Sequence, residues 1–142
     1  MADLRRQLQS PHRPEQLYAI VADVDAYPEF LPWLDRVEIL GRGDDHLHAA
    51  LKIARGGAHS EYVTRYGLYP DERVTMELVD GPMHRLDGTW TFTPRGQGSL
   101  LALHLNYEFS NPLYAMMFGL AFRAAIDDLI DHVADRAHEL HR

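Results

Sequence analysis

From Val37 to Phe109 the chain alternates apolar and polar residues in one short run after another, and a single long helical pattern follows to cover them. That imbalance constrains the fold more than any other feature. An antiparallel sheet of about six strands with one apolar face must bury that face, and one helix cannot cover it while it lies flat. The economical solution is a strongly curved sheet that grips the helix, with an apolar space between them unless large side chains fill it.

The strand signals are local. Val37/Ile39 and Leu47/Ala49/Leu51/Ile53 share faces across a hairpin turn at Gly41-Arg42-Gly43-Asp44-Asp45, and Gly56-Gly57 makes the next turn. His59 to Tyr69 reads as a strand, Pro70-Asp71-Glu72 as a turn, and Arg73 to Val79 as a strand with Val74, Met76 and Leu78 on one side. After Asp80-Gly81-Pro82, Leu86, Gly88, Trp90 and Phe92 face one way while Asp87, Thr89, Thr91 and Thr93 face the other. Beyond Pro94 to Gly98, Leu101, Leu103, Leu105, Tyr107 and Phe109 alternate with Ala102, His104, Asn106 and Glu108.

Before this meander, Leu4 to Gln9 predicts an edge strand whose arginines face water. Leu17, Tyr18, Ile20, Val21 and Val24 predict a short helix over about Pro14 to Asp23. Tyr27-Pro28-Glu29-Phe30-Leu31-Pro32-Trp33 carries two prolines that forbid regular helix and aromatics that demand burial, so an ordered loop is expected there, either a rigid cap on the core or a lid over a ligand mouth. After the meander, Asn111 is the expected N-cap and Pro112 the first residue of the long helix. Phe122, Ile126, Ile130, Val133, Ala137 and Leu140 form its apolar stripe, opposite Asp127, Asp128, Asp131, Asp135, Arg136 and Glu139. Leu113 to Phe122 is apolar nearly all round and calls for apolar partners on two sides.

Composition narrows the chemistry. A chain of 142 residues, 46% apolar, has the size of one soluble domain. Fourteen Lys+Arg against 21 Asp+Glu give a net charge of −7, which repels phosphate backbones and argues against direct DNA binding. The absence of cysteine excludes a disulfide scaffold, a thiolate metal site and a cysteine nucleophile. The first residues lack the apolar core of a signal peptide, and Leu113 to Ile126, interrupted by Arg123, is shorter than the roughly 18 apolar residues of a membrane span, so a cytoplasmic location is expected.

Nine histidines raise a metal hypothesis, but neither His46/His48 nor Asp128/His132/Asp135 has the dense ligand spacing of a zinc site, and no metal is expected. The polar groups that alternation can place inside are Tyr62, Tyr66, Ser60, Thr64 and Arg55. No histidine or carboxylate falls firmly there, and no catalytic motif appears, so no catalytic residue is assigned.

Three segments, Tyr27 to Trp33, Gly81 to Pro94 and Tyr107-Glu108-Phe109, resemble the coenzyme Q-binding and ribosome association toxin branch of the START-like, polyketide cyclase/dehydrase-related superfamily. Met83 stands where that branch typically has an aromatic, and Leu34 where it often has a cysteine. The resemblance runs in order along nearly the whole chain. It implies an α+β helix-grip fold, residues 1–142 forming one START-like domain, with a curved antiparallel sheet around a long C-terminal helix and a short helix after the first strand. It further implies a cavity for ubiquinone or a related polyprenyl lipid, no required cofactor, and a role in respiratory electron transfer. The expected lining is Phe30 and Trp33 of the aromatic loop, Trp90, Phe92, Leu103, Leu105 and Tyr107 of the sheet, and Met117, Phe118 and Phe122 of the helix, with Tyr62 and Tyr66 holding the head. A filled core is equally consistent with the alternation. The resemblance also admits binding to a ribosomal subunit that blocks subunit joining, transient contact with the inner membrane, and, as an analogy, polyketide aromatase/cyclase activity.

Overall fold

The period-two stretches form strands and the long helical stretch a helix in a computed structural model that describes residues 2–55 and 57–141. In chain order the elements are β1 (Ala2–Ser10), α1 (Pro14–Ala22), β2 (Leu34–Arg42), β3 (His46–Arg55), β4 (Ala58–Tyr69), β5 (Arg73–Asp80), β6 (Met83–Arg95), β7 (Gly98–Phe109) and α2 (Pro112–Leu140). All seven strands pair antiparallel in one sheet ordered β1-β7-β6-β5-β4-β3-β2. Helix α2 touches β1 and β7 near one edge and β3 and β4 near the other, which is feasible only because the sheet curls around it. The fold is the helix grip that one helix over many strands demands.

Alternation decides what enters the grip. Leu101, Leu103, Leu105 and Tyr107 of β7, Leu86, Trp90 and Phe92 of β6, Tyr62, Thr64 and Tyr66 of β4 and Leu47, Ala49 and Ile53 of β3 are buried. Helix α2 starts where its cap requires: the Asn111 Oδ1 accepts the Tyr114 N–H at 2.8 Å, and Pro112 follows at the first helical position. Its stripe from Phe122 to Ala137 is buried together with Ala125 and Leu129, each large apolar side chain contributing about 1.5–3 kcal/mol. Leu140, expected in that stripe, is exposed.

Two further local expectations are corrected. The ordered loop expected over Tyr27 to Trp33 starts inside a 3-10 turn, Val24–Glu29, which takes Pro28 because the bonds that hold it are donated by Ala26 to Asp23 and by Phe30 to Tyr27. On the edge strand β1, Arg5 faces water, but Arg6 lies on the inward parity with Leu4 and Leu8 and pairs with Asp127 of α2. The expected turn at Gly56-Gly57 falls partly outside the described residues, since Gly56 is not among them.

Where β7 begins, a close approach demands glycine. A Cβ on Gly98 would stand 2.1 Å from the Ser10 carbonyl oxygen and 3.0 Å from the Pro11 backbone. Those atoms belong to the β1 edge and cannot turn aside, so Gly98→Ala is expected to cost about 3 kcal/mol, the upper end for overpacking. Chemical denaturation measures it, and a loss under about 1 kcal/mol would mean that the edge yields easily.

A second local strain is electrostatic. His12, 8% exposed, faces the rings of His138 and His141 at centroid distances of 6.1 and 5.9 Å, and its Nε2 has no partner. Burial first, and the imidazoles of His141 and His138 after it, hold His12 below the ordinary histidine range. The folded His12 therefore stays neutral where the unfolded chain takes up a proton, near pH ~6.5. Below that value the unfolded state binds more protons, so stability falls with falling pH until the folded His12 protonates as well. The urea midpoint is expected to be lower at about pH 5.5 than at about pH 7.5, and His12→Gln should shrink that difference; an undiminished difference in the variant would clear His12 of the effect.

Candidate functional site

An apolar cavity lies between the curled sheet and α2. The 3-10 turn and the loop after it bring Tyr27, Phe30, Leu31 and Trp33 to one wall, with Leu34 of β2 beside them. Leu51 and Ile53 of β3, Tyr66 of β4, Met76 of β5 and Trp90 of β6 form the floor, and Ile126, Leu129 and Val133 of α2 form the roof. Its volume is about 80 Å³. A water molecule takes about 30 Å³ of liquid and small-molecule pockets run from roughly 300 Å³, so the space is a narrow slot with large side chains pressed around it.

Four lining residues carry polar tips, Tyr27, Trp33, Tyr66 and Trp90. The Tyr27 hydroxyl donates to the Val21 carbonyl, which ties the turn to α1. Burial pushes the Tyr27 and Tyr66 hydroxyls well above the ordinary tyrosine range, so both stay neutral at pH 7. The Trp33 indole Nε1 is buried without an acceptor. Trp33 also borders an open groove of about 290 Å³ outside the cavity, lined by Pro32, Ala54, Arg55, Asp128 and His132.

The twelve residues expected to line the site separate into groups. Phe30, Trp33, Tyr66 and Trp90 meet around the slot. Tyr62, Tyr107 and Phe122 instead pack on one another beside it, with ring centroids 5.6 Å and 4.8 Å from Phe122. The Tyr62 oxygen accepts the Ser60 hydroxyl at 2.9 Å, and burial raises its hydroxyl to about 12 despite that bond. Phe92 stacks edge-on against Tyr18 of α1 at 6.0 Å. Leu103 and Leu105 are buried in the sheet, opposite Trp90 and Gly88 respectively. Phe118 sits by Tyr114 over a surface groove with His59, Ser60, Glu61, Gly81 and Pro82. Met117 is 51% exposed and projects away from the slot.

The displacement of Met117 has a simple cause. The N-terminal turns of α2 are open to solvent, and the segment that called for apolar partners on two sides buries only Phe122, with Phe118, Gly119 and Ala121 half-buried. Leu113, Met116, Met117 and Leu120 stand in the open, Leu120 at 86% exposure. Several slot residues carried usable signals: Leu51 and Ile53 share one face of their strand, and Ile126 and Val133 lie on the helical stripe. Tyr27 and Leu31 carried none beyond their place in the aromatic segment.

Arg55 and Asp128 form an ion pair at 2.9 Å across the groove outside Trp33. Asp128 and His132, expected on a solvated helix face, therefore flank a groove. Among the described residues no three His, Asp or Glu side chains are grouped to hold a metal ion, and no helix is long and apolar enough to cross a membrane.

Residues 10–134 match the family described as polyketide cyclase / dehydrase and lipid transport. The ribosome association toxin RatA of Escherichia coli (strain K12) is 33% identical over 142 residues, covering 99% of this chain and 90% of the toxin. The mitochondrial coenzyme Q-binding protein COQ10 of Dictyostelium discoideum is 29% identical over 131 residues, covering 89% of this chain and 64% of that protein. The solved Zhui aromatase/cyclase from Streptomyces sp. R1128 superposes with a TM-score of 0.84 over 99% of this chain and 96% of the enzyme, at 14% identity, a likeness of fold alone.

Proposed function

Because the chain belongs to the polyketide cyclase / dehydrase and lipid transport family, we propose that it holds an apolar ligand, a polyprenyl quinone of the ubiquinone type, between sheet and helix. It acts as a carrier that supports respiratory electron transfer. The observation that carries this reading is the lining between sheet and helix, apolar and aromatic side chains with one buried polar tip left without a partner, the Trp33 N–H. An isoprenoid tail is thin and flexible, and each Å² it buries contributes about 25 cal/mol, so apolar lining matters more than shape. A fused-ring polyketide needs its whole volume at once. The lining also contains no histidine, carboxylate or lysine, and its tyrosines are held neutral, which leaves an acid-base mechanism without a group near neutral pH. The coenzyme Q-binding relative supports the ligand class.

Protein purified from a quinone-replete host is expected to yield quinone on solvent extraction and mass spectrometry. Recovery of none, with no protection of added quinone, overturns the carrier reading.

A second reading is favoured by the exposed start of α2 and by the relative named a ribosome association toxin. Leu113, Met116, Met117 and Leu120 would then meet a ribosomal subunit, and the acidic chain its basic proteins. Co-sedimentation with isolated subunits that is lost in Met116→Glu/Leu120→Glu supports it. Protein found only at the top of the gradient sinks it.

A further inference from the structure

We propose that the groove outside Trp33, between the end of β3 and the middle of α2, is the mouth of the cavity and the seat of the ligand's head, and that it selects an uncharged, carbonyl-bearing head over an anionic one. The assignment rests on the reading of the slot as a lipid site.

Trp33 is the wall shared by two spaces. It lines the inner slot of about 80 Å³ and the outer groove of about 290 Å³. The slot alone is too small for any lipid, but the two joined exceed the roughly 300 Å³ at which small-molecule pockets begin. The Trp33 carbonyl accepts the Ala54 N–H at 2.9 Å, which pins the backbone of the wall to β3. The ring can therefore swing on its side-chain torsions while the strands stay paired. Its indole N–H, on a residue 7% exposed, has no acceptor in the protein. An oxygen brought by a ligand removes that deficit.

Charge in the groove decides what kind of oxygen fits. Arg55 and Asp128 face each other at 2.9 Å, so the guanidinium is already neutralised. A guanidinium has five N–H donors, more than one carboxylate uses, and an uncharged carbonyl can take a spare one while the pair stays intact. An anionic head must instead compete with Asp128 for the same cation. The mouth accordingly favours a carbonyl seated by Arg55 and the Trp33 N–H, with the tail in the slot.

The test uses two probes of matched tail, a decyl-substituted benzoquinone and a straight-chain fatty carboxylate, titrated calorimetrically into the full chain. The quinone is expected to bind at least about tenfold tighter than the carboxylate. Arg55→Gln should weaken the quinone about tenfold, the loss of one hydrogen bond from a charged donor. Asp128→Asn should tighten the carboxylate about tenfold, because the cation is released, and so shrink the preference for the quinone. In Trp90→Phe, where Trp33 is the remaining tryptophan of two, bound quinone should quench its emission. If both probes bind but Arg55→Gln and Asp128→Asn leave their preference unchanged, or saturating quinone leaves Trp33 bright, the head sits elsewhere and the assignment falls while the lipid site stands. If neither probe binds the wild-type chain, the lipid site falls and takes the mouth with it.

Discussion

Phe122→Ala is expected to lower the unfolding free energy by about 3–5 kcal/mol, read as a shift in urea midpoint at nearly unchanged slope. Phe122 is 3% exposed, and its ring lies 5.6 Å from Tyr62, 4.8 Å from Tyr107 and 6.0 Å from Phe109. Tyr62 belongs to β4 and the other two to β7, so this one side chain joins the helix to strands on opposite sides of the curl. Each aromatic pair contributes about 0.5–1.5 kcal/mol beyond buried area, and the truncated site cannot collapse because three rings hold its walls apart. Phe122→Leu should recover more than half of the loss. A loss under about 1 kcal/mol in Phe122→Ala would mean that the sheet holds α2 by its remaining contacts alone.

Trp90→Ala should cost a similar amount, about 3–5 kcal/mol, with a different signature. Trp90 is 2% exposed and stands in the floor of the slot, opposite Leu103 across the β6–β7 pairing. Removing the indole adds its volume to space that is already empty, so the new void is continuous and apolar. Such voids stay dry and take up small aromatic molecules. Added indole or benzene should therefore raise the melting temperature of Trp90→Ala more than that of the wild type, since a molecule that binds only the folded state stabilises it by mass action. In Phe122→Ala the same additive should do less, because that site is bounded by rings and not by the slot. Equal shifts in both variants would mean that Trp90 does not border the cavity.

Much of the fold is legible residue by residue. The alternation from Leu101 to Tyr107 marks the strand and its buried face, and Asn111-Pro112 marks the start of α2, because both signals depend on backbone geometry within a few residues. Arg6 was not legible as a partner of α2. Its parity places it inward, but an arginine at a sheet edge is read as solvated until a carboxylate such as Asp127 is brought to it from a distant part of the chain. The Val24–Glu29 turn was missed for a similar reason, since a proline argues against an α-helix but not against a short 3-10 turn.

The candidate site was legible as a set of aromatic and apolar side chains on inward faces, but not as a place. Trp90 and Phe92 share one face of β6, yet Trp90 borders the slot and Phe92 packs beneath α1 against Tyr18. Met117 and Phe122 belong to the same apolar segment, yet one is half exposed and the other buried.

By itself, the sequence determined the order of elements, the inward face of most strands, the cap of the long helix and the necessity of a curled sheet, because periodicity and capping are local properties of the chain. Only the tertiary structure decided how tightly the sheet closes, that the space left is a slot of about 80 Å³ behind Trp33, and that the first turns of α2 stand open to solvent. Those depend on where distant elements meet. A difference of one side chain between facing layers separates a filled core from a cavity, and no period of two or 3.6 residues encodes that distance.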